Sequence, residues 1–235
     1  MMAKKRRREM ENITTEIRSA IEELSVMVKL KPVQEHDDDD DDHHHHLSTP
    51  NIPTRPFLSI CSVVVQVLDK IGPTMVVLRQ DIHQNIQRLE KVYESEPSKY
   101  KNLAEILKME ALQGTARKTS SCCRALVWLT RSMDFTVALL RRLAVDPGLS
   151  MEEVVEDAYS TTLKPWHGWI SSAAFRVAMK LIPDSRTFID LLAGKDQTQE
   201  SLVDEMQKLI SLLTPFLEEI HAALKTYNLE RIRST

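Results

Sequence analysis

Apolar residues return at every third or fourth position along most of this chain, the period of a helix with one buried face. The first such run joins Ile13, Ile17, Ile21, Leu24 and Val28 into a short amphipathic helix behind the basic cluster Lys4, Lys5, Arg6, Arg7 and Arg8. Six acids, Asp37 to Asp42, and four imidazoles, His43 to His46, come next. A run of that kind buries no apolar surface and reads as a disordered linker. The expected organisation is a basic helix plus linker over 1–46 and a folded domain over 47–235.

Within the domain, a helix from Pro56-Phe57 to about Lys70 is closed by Gly72-Pro73, and Pro73 opens the next, which runs to about Glu94. Ser95-Glu-Pro97 separates that helix from a third over about 97–113, and the polar joint 114–121 precedes a long helix over 122–145. Its apolar side carries Leu126, Leu129, Met133, Val137 and Leu140. Ser150-Met-Glu-Glu153 is a capping-box sequence that starts a helix to about Leu163. Further helices are expected over about 168–181, shortly after Pro183-Asp184, and over 201–225, the last bent or broken near Pro215. About eight helices joined by short connections make an all-α domain.

Composition agrees and narrows the function. Only 5 glycines occur, and 31 basic against 34 acidic residues leave a net charge of −3, so no general electrostatic attraction to nucleic acid exists. The three cysteines, Cys61, Cys122 and Cys123, are odd in number, and the adjacent pair falls in a helical pattern unsuited to a disulfide, which fits a reducing, cytoplasmic setting. No apolar run reaches bilayer-spanning length, so membrane contact is expected to be peripheral. The cluster Lys4 to Arg8 admits three readings: a nuclear-import signal, an anionic-lipid contact or a solvated terminus.

Two polar constellations stand out against this background. Asp81, Asn85 and Arg88 recur at i, i+4 and i+7, which puts a carboxylate, an amide and a guanidinium on one helix face. By spacing alone that face is either solvated or a site for a polar headgroup. Lys164-Pro-Trp166-His167-Gly168-Trp169 sets two of the chain's three tryptophans around one imidazole. Such residues cap a core, or sit at a membrane interface with one apolar and one wet side.

Catalytic signatures are missing. There is no Gly-x-Ser-x-Gly turn, no glycine-rich phosphate loop and no His-Glu-x-x-His, so an enzyme is not expected. Glu218-Glu-Ile-His221 gives a single Glu-x-x-His where bundle di-metal sites need two, and the Asp/His run fixes no coordination geometry, so no metal or cofactor is expected.

Asp81-Ile-x-x-Asn85-Ile-x-Arg88-Leu, Val127-Trp128-Leu-x-Arg131-x-Met-x-Phe135 and Leu163-Lys-x-Trp-His167-Gly-Trp169 resemble, in order and spacing, the motifs of the glycolipid transfer protein family. The resemblance spans about Arg55 to Tyr227 and is strong in the plant branch. It implies a two-layer all-α sandwich enclosing an apolar lipid tunnel, which carries one sphingolipid between membranes without chemistry. Asp81 matches the carboxylate that accepts hydrogen bonds from sugar hydroxyls and the ceramide amide, and Asn85 the amide that contacts sugar hydroxyls. Trp128 matches the indole on which the sugar stacks, and His167 the imidazole that donates to the ceramide carbonyl. Trp169 matches the indole that inserts into the membrane surface. Arg88 stands where the animal transporter has lysine, so charge is kept but geometry is not.

Relatives that carry ceramide 1-phosphate place lysine at the position of Asn85 and arginine at that of Trp128, which argues here for an uncharged sugar such as that of glucosylceramide. An anionic sphingolipid, or a lipid-gated regulatory role, is the alternative. Removing a 16-carbon chain from a bilayer costs on the order of 12 kcal/mol, which only an enclosed apolar passage returns. Phe57, Val65, Leu68, Phe135, Leu139, Phe175, Phe188 and Phe216 are its candidate lining. The expected partners are a glycosphingolipid and a transient membrane surface; the protein is expected to be monomeric. Pro56-Phe57-Leu-Ser-Ile60 lacks the acid and second phenylalanine of the animal protein's receptor-docking motif, so that partner is not expected.

Overall fold

Leu24, Leu89 and Leu129 have no exposed surface, and the three helices that carry them share one hydrophobic core. A computed structural model describes residues 15–30, 50–146 and 148–234. The basic cluster Lys4 to Arg8, Ile13 and the run Asp37 to His46 lie outside these residues.

Nine α-helices occur among the described residues: α1 (Glu16–Leu30), α2 (Thr54–Ile71), α3 (Val76–Ser95), α4 (Leu103–Leu112), α5 (Cys122–Val145), α6 (Met151–Thr162), α7 (Trp169–Met179), α8 (Ser185–Leu192) and α9 (Gln199–Thr226). Single 3-10 turns at Pro73–Met75 and Lys164–Trp166 precede α3 and α7. Packing closes a circuit: α1 lies on α2, α2 on α3, α3 on α5, α5 on α9 and α9 back on α1. Helix α6 covers another side of α5, which makes α5 the shared wall of a two-layer helical sandwich. Among the described residues, no helix is long and apolar enough to cross a membrane.

The eight domain helices fall where the periodicity puts them, and two details differ. The third starts at Leu103 because residues 98–101 form turns and Asn102 caps the helix, its side chain accepting from the Ala104 N–H at 3.0 Å. The same side-chain oxygen accepts from the Ile52 N–H and its amide donates to the Pro50 carbonyl, which pins the start of the α2 segment. Pro215 does not break α9, which stays helical over 28 residues while packed along α5 and α1. The capping box forms as read, with the Glu153 N–H donating to Ser150 Oγ and the Ser150 N–H to Glu153 Oε2.

The N-terminal helix joins this core. α1 sits between α2 and α9 and buries Ile17, Ala20, Ile21, Leu24 and Met27. Val28, expected on that face, is exposed, and Met27 takes its place. Ion pairs flank the contact, Lys70 Nζ to Glu16 Oε2 and Arg18 Nε to Glu205 Oε1, each at 2.6 Å. At the surface such pairs are worth less than about 1 kcal/mol each, so the apolar face carries the stabilisation.

Helix α5 has an uncommon start. Glu110, itself buried, accepts from the N–H groups of Cys122 and Cys123 with its two carboxylate oxygens, at 2.8 Å each. A carboxylate there satisfies two orphan donors and opposes the positive end of the helix dipole. All three cysteines are free and buried, and burial pushes the Cys122 thiol up to about 12 and the others higher.

Candidate headgroup site

Trp128 and His167 meet at the site, their ring centroids 5.6 Å apart with planes inclined by 38°. Trp128 is half-buried on α5, and His167 follows the turn Lys164–Trp166 in the loop that leads into α7. Pro165 suits that turn, and Gly168 caps α7 with an extended backbone, so the loop holds the imidazole against the indole while the chain reverses.

Tyr159 of α6 backs the imidazole. Its hydroxyl lies 3.3 Å from His167 Nδ1 and 3.4 Å from Ser172 Oγ, and its ring stacks on Phe175 with centroids 3.4 Å apart. Polar mouth and apolar interior are therefore joined through one residue. Burial, and then the nearby Arg131 charge, hold His167 below the usual histidine range, so it is neutral at pH 7. A neutral imidazole offers one N–H and one lone pair, enough to donate to a carbonyl.

The polar strip lies on α3, which packs along α5. Asn85 is buried and its amide donates to the Asp81 carbonyl at 3.0 Å. Asp81 is at the surface; partial loss of solvent on its inner side raises its carboxyl above the usual range, and the Arg88 charge works in the opposite direction. Arg88 is half-buried and donates from Nη1 to the Thr119 carbonyl at 3.3 Å, which draws it toward the joint before α5. The three are thus not one uniform face: an exposed carboxylate, a buried amide and a tethered guanidinium.

Trp169 stands apart from this cluster, 81% exposed and followed by the exposed Ile170. Trp166, by contrast, turns inward onto Arg131, whose guanidinium carbon lies 4.2 Å from the Trp166 ring centre and 4.8 Å from that of Trp128. The sequence motif contains Arg131 without revealing that two indoles enclose it. Of the candidate lining residues, Phe57 and Phe216 meet in the core with centroids 6.2 Å apart, Leu68, Leu139 and Phe188 are buried, and Val65, Phe135 and Phe175 are half-buried against it. A cleft of about 390 Å³ between α1 and α2 and one of about 100 Å³ beside Phe216 are lined by none of the headgroup candidates. His221 of the Glu-x-x-His sequence bonds Asp134 of α5 through Nε2 at 3.0 and 3.1 Å.

The arrangement is that of a glycolipid transfer fold. It superposes on a FAPP2 structure, described as selecting simple glycosphingolipids through this fold, with a TM-score of 0.71 at 28% identity over 80% of this chain and 92% of that one. An Arabidopsis ACD11 mutant complexed with ceramide 1-phosphate gives a TM-score of 0.76 at 16% identity, over 93% and 98%. The sequence model of the glycolipid transfer protein family matches residues 52–194. Glycolipid transfer protein 3 of Arabidopsis thaliana is 52% identical over 98% of this chain and 99% of its own, and glycolipid transfer protein 2 is 53% identical over 98% and 99%. The chain belongs to the glycolipid transfer protein family, whose members move lipids and are not enzymes.

Proposed function

We propose that this protein moves a glycosphingolipid with a small uncharged headgroup, glucosylceramide foremost, between membranes without vesicles. The observation that carries this reading is the half-buried Trp128 ring set against His167, on a helix packed beside the one that bears Asp81 and Asn85. A sugar has an apolar C–H face and a rim of hydroxyls. Trp128 takes the face; Asp81 and Asn85 take the rim. His167 donates to the ceramide carbonyl, Arg88 closes the far end of the rim, and the acyl chains enter an apolar tunnel past Tyr159 and Phe175.

Transfer between vesicles tests this directly. The protein moves labelled glucosylceramide at least about tenfold faster than labelled ceramide 1-phosphate, because the indole gives a dianion no compensation for lost water. Equal rates, or preference for the phosphate, refute the headgroup assignment.

The membrane surface is the second participant. Trp169 and Ile170 offer an exposed indole and aliphatic chain at the start of α7, and exposed Lys164 lies in the turn before it, a composition suited to the headgroup layer. Trp169→Ala weakens adsorption to neutral vesicles several-fold and leaves the ratio of the two lipids unchanged; a shifted ratio with normal adsorption shows Trp169 to be a headgroup contact instead.

A further inference from the structure

Residues 228–234 run back across the site as a strap, and arginines hold it by its main chain. Arg131 Nη1 donates to the Ile232 carbonyl at 2.6 Å and its Nη2 to the Glu230 carbonyl at 2.7 Å. Arg124 Nη2 donates to the Arg233 carbonyl at 2.7 Å, and Arg117 Nη2 to the Asn228 carbonyl at 2.6 Å. The far end is tied to the loop that carries His167: the Ser234 N–H donates to the Trp166 carbonyl at 3.0 Å and the Gly168 N–H to Ser234 Oγ at 2.7 Å. Leu229 and Ile232 anchor the strap in the core.

The contact has an electrostatic meaning. Arg131 is 4% exposed, with indoles on its faces and carbonyls on its fork. That fork is the edge with which a guanidinium binds phosphate in two parallel hydrogen bonds. Peptide carbonyls are neutral; they fill the donor positions without cancelling the charge. Burial lowers the guanidinium to about 10, against a raising contribution from Asp134 and a further lowering one from Arg124, so it stays cationic at neutral pH.

We propose that the strap is a headgroup-charge filter: its carbonyls keep the donors of Arg131, with Arg124 behind it, away from an anionic headgroup and so reserve the Trp128 platform for neutral sugars. This deepens the transfer reading and rests on it. Preference for sugar then resides in the strap as well as in Asn85 and Trp128, and lifting the strap admits a phosphate.

Ser234→Pro removes the tie to Trp166 and displaces the hydroxyl at Gly168 while leaving Leu229 and Ile232 in place. Ile232→Ser loosens the anchor beside Arg131. Each variant of the full chain is compared with wild type for transfer of labelled glucosylceramide and labelled ceramide 1-phosphate between phosphatidylcholine vesicles, with thermal unfolding recorded in parallel. The filter predicts that the phosphate-to-sugar rate ratio rises about tenfold in at least one folded variant, and that adding Arg131→Gln cancels the rise. Merely structural damage lowers both rates and leaves their ratio alone. Folded variants with an unchanged ratio overturn the filter while wild-type glucosylceramide transfer still supports the parent reading. A wild type that moves neither lipid overturns both.

Discussion

Asp81→Val and Trp128→Ala each reduce glucosylceramide transfer by roughly ten- to a hundredfold, the largest losses expected from single changes at the site. A hydrogen bond to a charged acceptor is worth about 1.5–3 kcal/mol, and each 1.4 kcal/mol is a factor of ten. Asp81 is exposed, so valine there removes acceptors without opening the core, and thermal stability stays within about 0.5 kcal/mol of wild type. Trp128 is different: it touches both His167 and Arg131, so alanine removes the stacking plane and one wall of the guanidinium's enclosure. Its transfer loss is therefore accompanied by a modest drop in stability. Vesicle transfer and urea unfolding on the same preparations separate the two effects. Normal transfer by Asp81→Val shows that the sugar is read elsewhere.

The second large effect is on stability. Leu24→Ala costs about 2–5 kcal/mol, as expected for a fully buried leucine, out of a total of about 5–15 kcal/mol for a domain. Val26→Ala, on the opposite and exposed side of the same helix, costs less than about 0.5 kcal/mol. Urea midpoints measure both. Equal small costs show that α1 does not belong to the core that folds cooperatively.

Much of this architecture is written in the chain's periodicity. Leu126, Leu129, Met133, Val137 and Leu140 are all buried on α5 as their spacing demands, and Ser150 with Glu153 announces α6 by chemistry that only a helix start uses. Helix α1 shows where such reading stops. Its apolar face is plain in sequence, but an apolar face looks the same whether it meets a core, a membrane or another protein, so its seat between α2 and α9 depends on long-range packing. The start of α4 is missed for a local reason: Pro97 suits a first helical turn, yet Asn102 offers the better cap.

The site divides in the same way. Trp128 and His167 stand in separate sequence motifs, and the fold brings their rings together. The strap is invisible because Arg131 is held by carbonyls, which every residue has, and the partners lie about a hundred residues away. Trp166 and Trp169, three positions apart, look alike in sequence and differ entirely in exposure, the first turned onto Arg131 and the second out to solvent.

Helix α7 differs from its neighbours at the site: α3, α5 and α6 each contribute buried residues, and α7 contributes none. Regions with few buried contacts open locally at a fraction of the global unfolding free energy. The helices α3, α5 and α6 and the less buried α7 thus have separate opening thermodynamics. If Trp169 and Ile170 meet an interface as proposed, the medium that penalises their exposure is exchanged for one that welcomes it, and the bilayer itself becomes the hand on the latch.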